Sequence, residues 1–315
     1  NFSSPQQPPS IAIRNIDGSL KQWIVRNSLD GTHPYAPYLS DHVIEEFGSL
    51  KGGDGQTLYY RLLRPLKLVA GKRYPVIVDT YGGPTSQYVQ RNWMGGGTGS
   101  HYSLRNRMSS GSGTQGFFRE LLAQHGFIVF SIDNRGSALR GSAFESALYK
   151  RFGKVEVEDQ VRGVEFLKTL PYVDGDRVGI MGWSYGGYMT LMALTTAPKV
   201  FKAGVAGAPV TDWRLYDTHY TERFLGTPAE NAAGYSASSV APYAKNLTGS
   251  LLLVHGMADD NVLFTNSTQL MKQLQSARIP FELMTYPGGK HGLVRQPEMG
   301  EHFYDMVLKF FEEKL

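Results

Sequence analysis

Gly182-Trp183-Ser184-Tyr185-Gly186-Gly187 holds a serine between two glycines, each two residues away. The apolar run Val178-Gly179-Ile180-Met181 precedes it and the helix-like run Tyr188 to Leu194 follows. Strand, Gly-x-Ser-x-Gly and helix in that order make a nucleophile elbow. The turn is tight enough to strain the serine backbone and to leave space only for glycine two positions to either side. It lifts the Ser184 hydroxyl to a helix N-terminus, where the backbone N–H of Tyr185 can stabilise a developing oxyanion. A tight turn carrying a surface serine is the competing reading, and it stands unless a base and an acid accompany the serine.

A serine hydroxyl becomes a nucleophile only when a base takes its proton. The sequence has eight histidines. His291, in Tyr286-Pro287-Gly288-Gly289-Lys290-His291-Gly292, lies after the last predicted strand and before the last helix, on a Gly-rich loop that can face a substrate. His255 ends the run Leu251 to Val254 and reads as a residue bracing the sheet. His125 sits late in a helix, where it complements the dipole. His33, His42, His101, His219 and His302 lack a strand-end position in the right order. In this chain order the acid falls between serine and histidine. Gly256-Met257-Ala258-Asp259-Asp260-Asn261 supplies two carboxylates. One would orient the imidazole, and the other would cap or face the helix beginning near Val262. Spacing does not choose between Asp259 and Asp260.

A second oxyanion donor belongs on the loop after the first parallel strand, Asp79-Thr80-Tyr81-Gly82-Gly83-Pro84. Tyr81 offers a phenol there; packing is its other reading. Trp213, Tyr216, Tyr220 and Phe224 fall near helical spacing, which reads as core or as an aromatic wall for a flat apolar side chain such as proline. Arg135, in Asp133-Asn134-Arg135-Gly136, reads as a structural ion pair ahead of a carboxylate-binding group.

These residues need a scaffold. The chain has 315 residues, 41% of them hydrophobic, enough for a large α/β domain. From Tyr74 onward apolar runs alternate with helix-like stretches, which predicts a mostly parallel central sheet with helices on both faces. Each candidate follows a predicted strand, where ligands bind in such sheets. Ahead of it lie a Ser/Pro/Gln-rich connector over residues 3–10 and a hairpin, Ile11–Ile16 with Leu20–Val25, turning at Asp17-Gly18. A Pro-punctuated linker, His33 to Tyr38, precedes a second hairpin, Val43–Leu50 with Thr57–Leu63. The expected division is therefore 1–38, hairpin and linker, and 39–315, the catalytic domain. The Gly/Ser-rich stretches Gly95–Ser100 and Ser109–Gly116 lack Gly-Lys-Ser/Thr, which excludes a phosphate-binding P-loop, and they are expected as a loop near the site mouth. The net charge of +4 is scattered rather than blocked, so nucleic acid is not an expected partner. No apolar run approaches the roughly 18 residues of a membrane span. The absence of cysteine excludes disulfides, thiol catalysis and cysteine-based zinc sites. No metal and no cofactor is expected. The missing initiator Met leads to the expectation of a fragment or a processed chain.

Tyr81-Gly82-Gly83-Pro84, Gly182 to Tyr188, Trp213 to Phe224 with its Tyr-Thr-Glu-Arg-Phe, His255-Gly256, Ala258 to Val262 and His291-Gly292 together resemble the prolyl oligopeptidase family, in its dipeptidyl peptidase branch. The resemblance covers most of residues 40–315 and implies an α/β-hydrolase fold. It implies Ser184, Asp259 and His291 as the triad, so it selects Asp259, and Tyr81 as the oxyanion tyrosine. It further implies a proline-accepting pocket of Tyr185, Val210, Trp213, Tyr216, Tyr220 and Val262, with Asn261 binding the substrate carbonyl before the proline. The implied reaction is release of X-Pro or X-Ala dipeptides from peptide N-termini through an acyl-enzyme. Alternatives are an acylaminoacyl peptidase, a prolyl endopeptidase or an esterase of the same fold, and a catalytically silent binding module. The family carries an N-terminal β-propeller that binds the substrate amine. It is absent from this sequence, and the first hairpin looks like the tail of its last blade. A homodimer and a periplasmic or extracellular location are expectations by analogy alone.

Overall fold

A computed structural model describes residues 2–95, 98–99 and 112–315. The strands are β1 (Phe2–Ser4), β2 (Gln7–Arg14), β3 (Leu20–Val25), β4 (Glu46–Lys51), β5 (Thr57–Leu63), β6 (Tyr74–Asp79), β7 (Ser86–Gln87), β8 (Thr98–Gly99), β9 (Ile128–Ile132), β10 (Val173–Trp183), β11 (Ala203–Gly207), β12 (Ser250–Gly256) and β13 (Glu282–Tyr286). Eight of them form one sheet in the order β13-β12-β11-β10-β6-β9-β5-β4. It is parallel from β13 to β9 and antiparallel in the hairpin edge β5-β4. This is the α/β-hydrolase fold, as expected.

Side chains alternate across the sheet, and both faces are covered, so its strands read as continuous apolar runs. Val76 and Val78 of β6 pack in one core with the helices Val155–Leu167, Tyr185–Thr196 and Thr265–Ser276. Ile77, between them, packs on the other side with the helices Ser112–Gln124 and Pro297–Lys314. Tyr185–Thr196 is buried at every residue but its last, which is why its sequence shows no polar face.

After β6 the chain adds β9 on one side, then crosses back to place β10 on the other. Open parallel sheets form a crevice at such a reversal, beyond the carboxyl ends of the strands. The Tyr81 loop leaves β6 there and Ser184 leaves β10.

Two expectations need correction. Residues 3–10 are strands, not a connector: β1 pairs antiparallel with β2. The prolines at 8 and 9 suggested otherwise because they lack N–H groups. They fit because the β1-β2 register is irregular between Phe2 and Ser4. With β3 these strands make a small sheet of their own. The Gly/Ser-rich stretch, with His101, lies largely outside the described residues. Of its described parts, Thr98–Gly99 pairs with Ser86–Gln87 and Ser112 to Gly116 begin a helix.

Candidate active site

Ser184 caps the helix Tyr185–Thr196 with φ 62° and ψ −116°, a left-handed, strained backbone for a residue with a Cβ. The glycine requirement is steric. A Cβ on Gly182 would lie 2.4 Å from the Gly186 carbonyl oxygen, and one on Gly186 2.3 Å from that of Thr80. Ser184 is half-buried, and its N–H donates to the Gly207 carbonyl at 2.8 Å, fastening the turn to β11.

Asp259 is buried and His291 is half-buried. Asp259 Oδ2 accepts from His291 Nδ1 at 2.8 Å. Oδ1 of the same carboxylate accepts the backbone N–H groups of Asn261 and Val262 at 2.9 and 3.0 Å. His255 is fully buried and does brace the strand end. Its Nδ1 lies 2.7 Å from Ser267 Oγ, and its Nε2 lies 2.8 Å from the Val262 carbonyl and 3.3 Å from Asp259. Burial acts to raise the Asp259 pKa, but the hydrogen bonds from His255, His291 and Asn261 outweigh it and hold the carboxyl well below its usual range. Asp260 points to solvent and pairs with Lys290 at 2.8 Å. It does not cap a helix as expected of the second aspartate; Asp259 itself takes those N–H groups.

Backbone contacts fix the two loops to each other. Ala258 N–H donates to Gly289 and Met257 N–H to Tyr286. Trp183, next to Ser184, donates from Nε1 to the His291 carbonyl at 2.9 Å, and its ring centroid is 6.4 Å from the imidazole. Donation from Nδ1 to Asp259 leaves the His291 Nε2 lone pair free to accept a proton. Among the described residues Ser184 Oγ makes no hydrogen bond; hydrogen bonds of this kind are often long or unmade in unliganded sites.

On the facing loop, a Cβ at Gly83 would strike the Tyr185 ring at 2.7 Å and Tyr81 at 2.9 Å, so glycine lets this loop lie flat against the elbow. The Tyr81 ring is 6.0 Å from that of Tyr185. Burial, then Tyr216, pushes its phenol up to about 12, so Tyr81 keeps its proton and can donate it.

The expected pocket residues converge. Trp213 is buried, with ring centroids 5.3 Å from Tyr185, 5.9 Å from Tyr216 and 6.2 Å from Tyr220. Val210 and Val262 are buried in the same core. Exposed Asn261 accepts from the Tyr216 hydroxyl at 3.0 Å, which orients its amide. Arg135 is, as expected, structural, in a two-pronged pair with buried Asp159.

Three neighbours escaped the sequence reading. The Phe152 ring is 4.8 Å from Trp213, and that of Tyr188 is 5.1 Å from it. Buried Glu156 accepts from the Tyr185 hydroxyl at 2.7 Å. Burial, against the N–H groups of Gly153 and Glu156 and the Tyr185 hydroxyl, pushes its carboxyl up to about 7. The unfolded value is about 4.3. Between those two values the folded chain holds the extra proton, so this group makes stability fall as pH rises through the window and leaves it level above. Glu156→Gln removes that slope. In urea titrations at about pH 5 and about pH 8, the stability of the variant relative to wild type is expected to be higher at the upper pH. An equal difference at both pH values contradicts the shift.

Among the described residues, no helix is long and apolar enough to cross a membrane. Residues 116–315 match the prolyl oligopeptidase family. The chain is 38% identical to human dipeptidyl peptidase 8 over 318 residues, covering 100% of this chain and 32% of that protein. It is 37% identical to bovine prolyl endopeptidase FAP, over 85% of this chain and 33% of that protein. The crystal structure of Porphyromonas gingivalis dipeptidyl peptidase 4 superposes with a TM-score of 0.86 at 33% identity, covering 100% of this chain and 41% of that one. The chain thus spans about a third of the length of these curated relatives.

Proposed function

Because the chain belongs to the prolyl oligopeptidase family, we propose that it carries the catalytic part of a serine peptidase that releases X-Pro or X-Ala dipeptides from peptide N-termini. Ser184 Oγ attacks the carbonyl of the proline residue and His291 Nε2 takes its proton. Asp259 holds the imidazole in the correct tautomer and balances its charge. The tetrahedral oxyanion receives the Tyr185 N–H and the Tyr81 hydroxyl. Collapse expels the leaving amine, protonated by His291, and water then hydrolyses the acyl-enzyme by the same steps in reverse roles. Tyr185, Val210, Trp213, Tyr216, Tyr220 and Val262 receive the proline ring, and Asn261 takes the preceding carbonyl. The observation that carries this reading is the Asp259–His291 hydrogen bond, 2.8 Å long, anchored through Trp183 beside the strained Ser184.

The same reading assigns residues 1–38 to the last blade of an N-terminal β-propeller with its linker, and recognition of the substrate amine to that propeller. A homodimer and a periplasmic or extracellular location follow from the family by analogy. Comparing Gly-Pro-p-nitroanilide with its N-blocked form tests the proposal. With the propeller in place, the free-amine substrate is expected to be preferred by about 100-fold or more, since an amine-recognition group left unpaired rejects the blocked one. Preference for the blocked form would instead indicate an endopeptidase or acylaminoacyl peptidase.

A further inference from the structure

Glu156 sits in the first turn of the helix Val155–Leu167 and is fully buried. One carboxylate oxygen accepts the Gly153 N–H at 2.8 Å and the Tyr185 hydroxyl at 2.7 Å. The other has no hydrogen-bond partner among the described residues. The charge of Asp159, another carboxylate, acts to raise the Glu156 pKa further. A glutamate reaching back to a backbone N–H at a helix start is a familiar cap. Capping accounts for the Gly153 contact. It does not account for the second one, which crosses to the residue directly after the nucleophile. Burying an acid with one oxygen unpaired is costly, and such arrangements cluster where geometry matters for function.

Tyr185 is where that geometry is set. Its ring joins the two halves of the site, 6.0 Å from Tyr81 on the oxyanion side and 5.3 Å from Trp213 on the pocket side. Phe152 and Tyr188 meet it edge-on at 5.4 and 5.3 Å. Apolar contacts alone leave the far end of the ring free to swing, whereas a hydrogen bond to the phenol oxygen fixes where that end lies.

We propose that Glu156 is a positioning residue: by holding the Tyr185 phenol it fixes one wall of the proline slot and so sets the preference for proline over alanine before the scissile bond. The proposal rests on the peptidase reading above. A flat five-membered ring touches the wall and loses contact when it tilts. An alanine methyl fills little of the slot and loses less.

The test uses the full protein with Gly-Pro- and Gly-Ala-p-nitroanilide. Tyr185→Phe keeps the ring and removes the tie. Its kcat/KM on Gly-Pro is expected to fall about 10-fold, chiefly through KM, and on Gly-Ala less than about 3-fold. Glu156→Ala, which keeps the phenol and removes the acceptor, should lower the ratio in the same direction. Glu156→Gln, whose amide oxygen can accept both hydrogen bonds, should hold the ratio within about 2-fold of wild type. Fluorophosphonate labelling of Ser184 in each variant reports separately on fold and nucleophile. Labelled variants with an unchanged ratio, or with equal losses on both substrates, overturn the positioning role alone. A wild-type protein that neither labels nor cleaves overturns the peptidase reading, and this proposal with it.

Discussion

Ser184→Ala is expected to lower kcat on Gly-Pro-p-nitroanilide by about 10⁵- to 10⁶-fold while changing KM by no more than a few-fold. The substitution removes the attacking oxygen and nothing else that binds substrate. The aromatic slot around Trp213, the Tyr81 hydroxyl and the Tyr185 N–H all stay in place. A residual rate about 10³-fold above the uncatalysed one should therefore persist from oxyanion stabilisation and binding. Alanine keeps the Cβ that strains a φ of 62°, and Ser184 Oγ makes no hydrogen bond among the described residues, so the folded variant should match wild type in stability. Steady-state kinetics with a thermal melt checks both parts. A loss below about 100-fold would place the nucleophile elsewhere.

Asp259→Asn carries the second largest effect, about 10⁴-fold in kcat, with Asp260→Asn within about 2-fold of wild type. The two positions are adjacent in sequence and opposite in environment. Asp259 is buried and binds His291, whereas Asp260 is exposed and holds only a lysine in water. An asparagine at 259 can still accept the Asn261 and Val262 N–H groups, so the loop survives. Its amide N–H₂, however, faces Nδ1 as a donor and drives the imidazole proton to Nε2, the nitrogen that must be free to accept. The wild-type carboxyl is held well below its usual range, so it stays ionised wherever the imidazole is neutral. Equal losses from the two asparagines would contradict the assignment.

Much of this was legible in the sequence where chemistry dictates spacing. Gly182 and Gly186 are steric necessities, and the close approach of a virtual Cβ to backbone oxygen at each is the reason. The strand runs follow from a parallel sheet buried on both faces, and the order of Ser184, Asp259 and His291 is that of the α/β-hydrolase fold. Residue spacing could not choose between Asp259 and Asp260, because burial rather than sequence position separates them. Phe152, Glu156 and Tyr188 carried no local signal. Glu156 meets Tyr185 from 29 residues away, and its first-turn position looks like an ordinary helix start. The prolines of β2 misdirected the reading because an irregular register, invisible in sequence, accommodates them.

The most direct measurement is intact-protein mass spectrometry after treatment with a fluorophosphonate, followed by peptide mapping. One adduct is predicted, on Ser184, formed by folded wild type and lost in His291→Ala. Absence of an adduct in the folded protein, or an adduct on another residue, contradicts the convergence of Ser184 and His291 on one rim of the sheet.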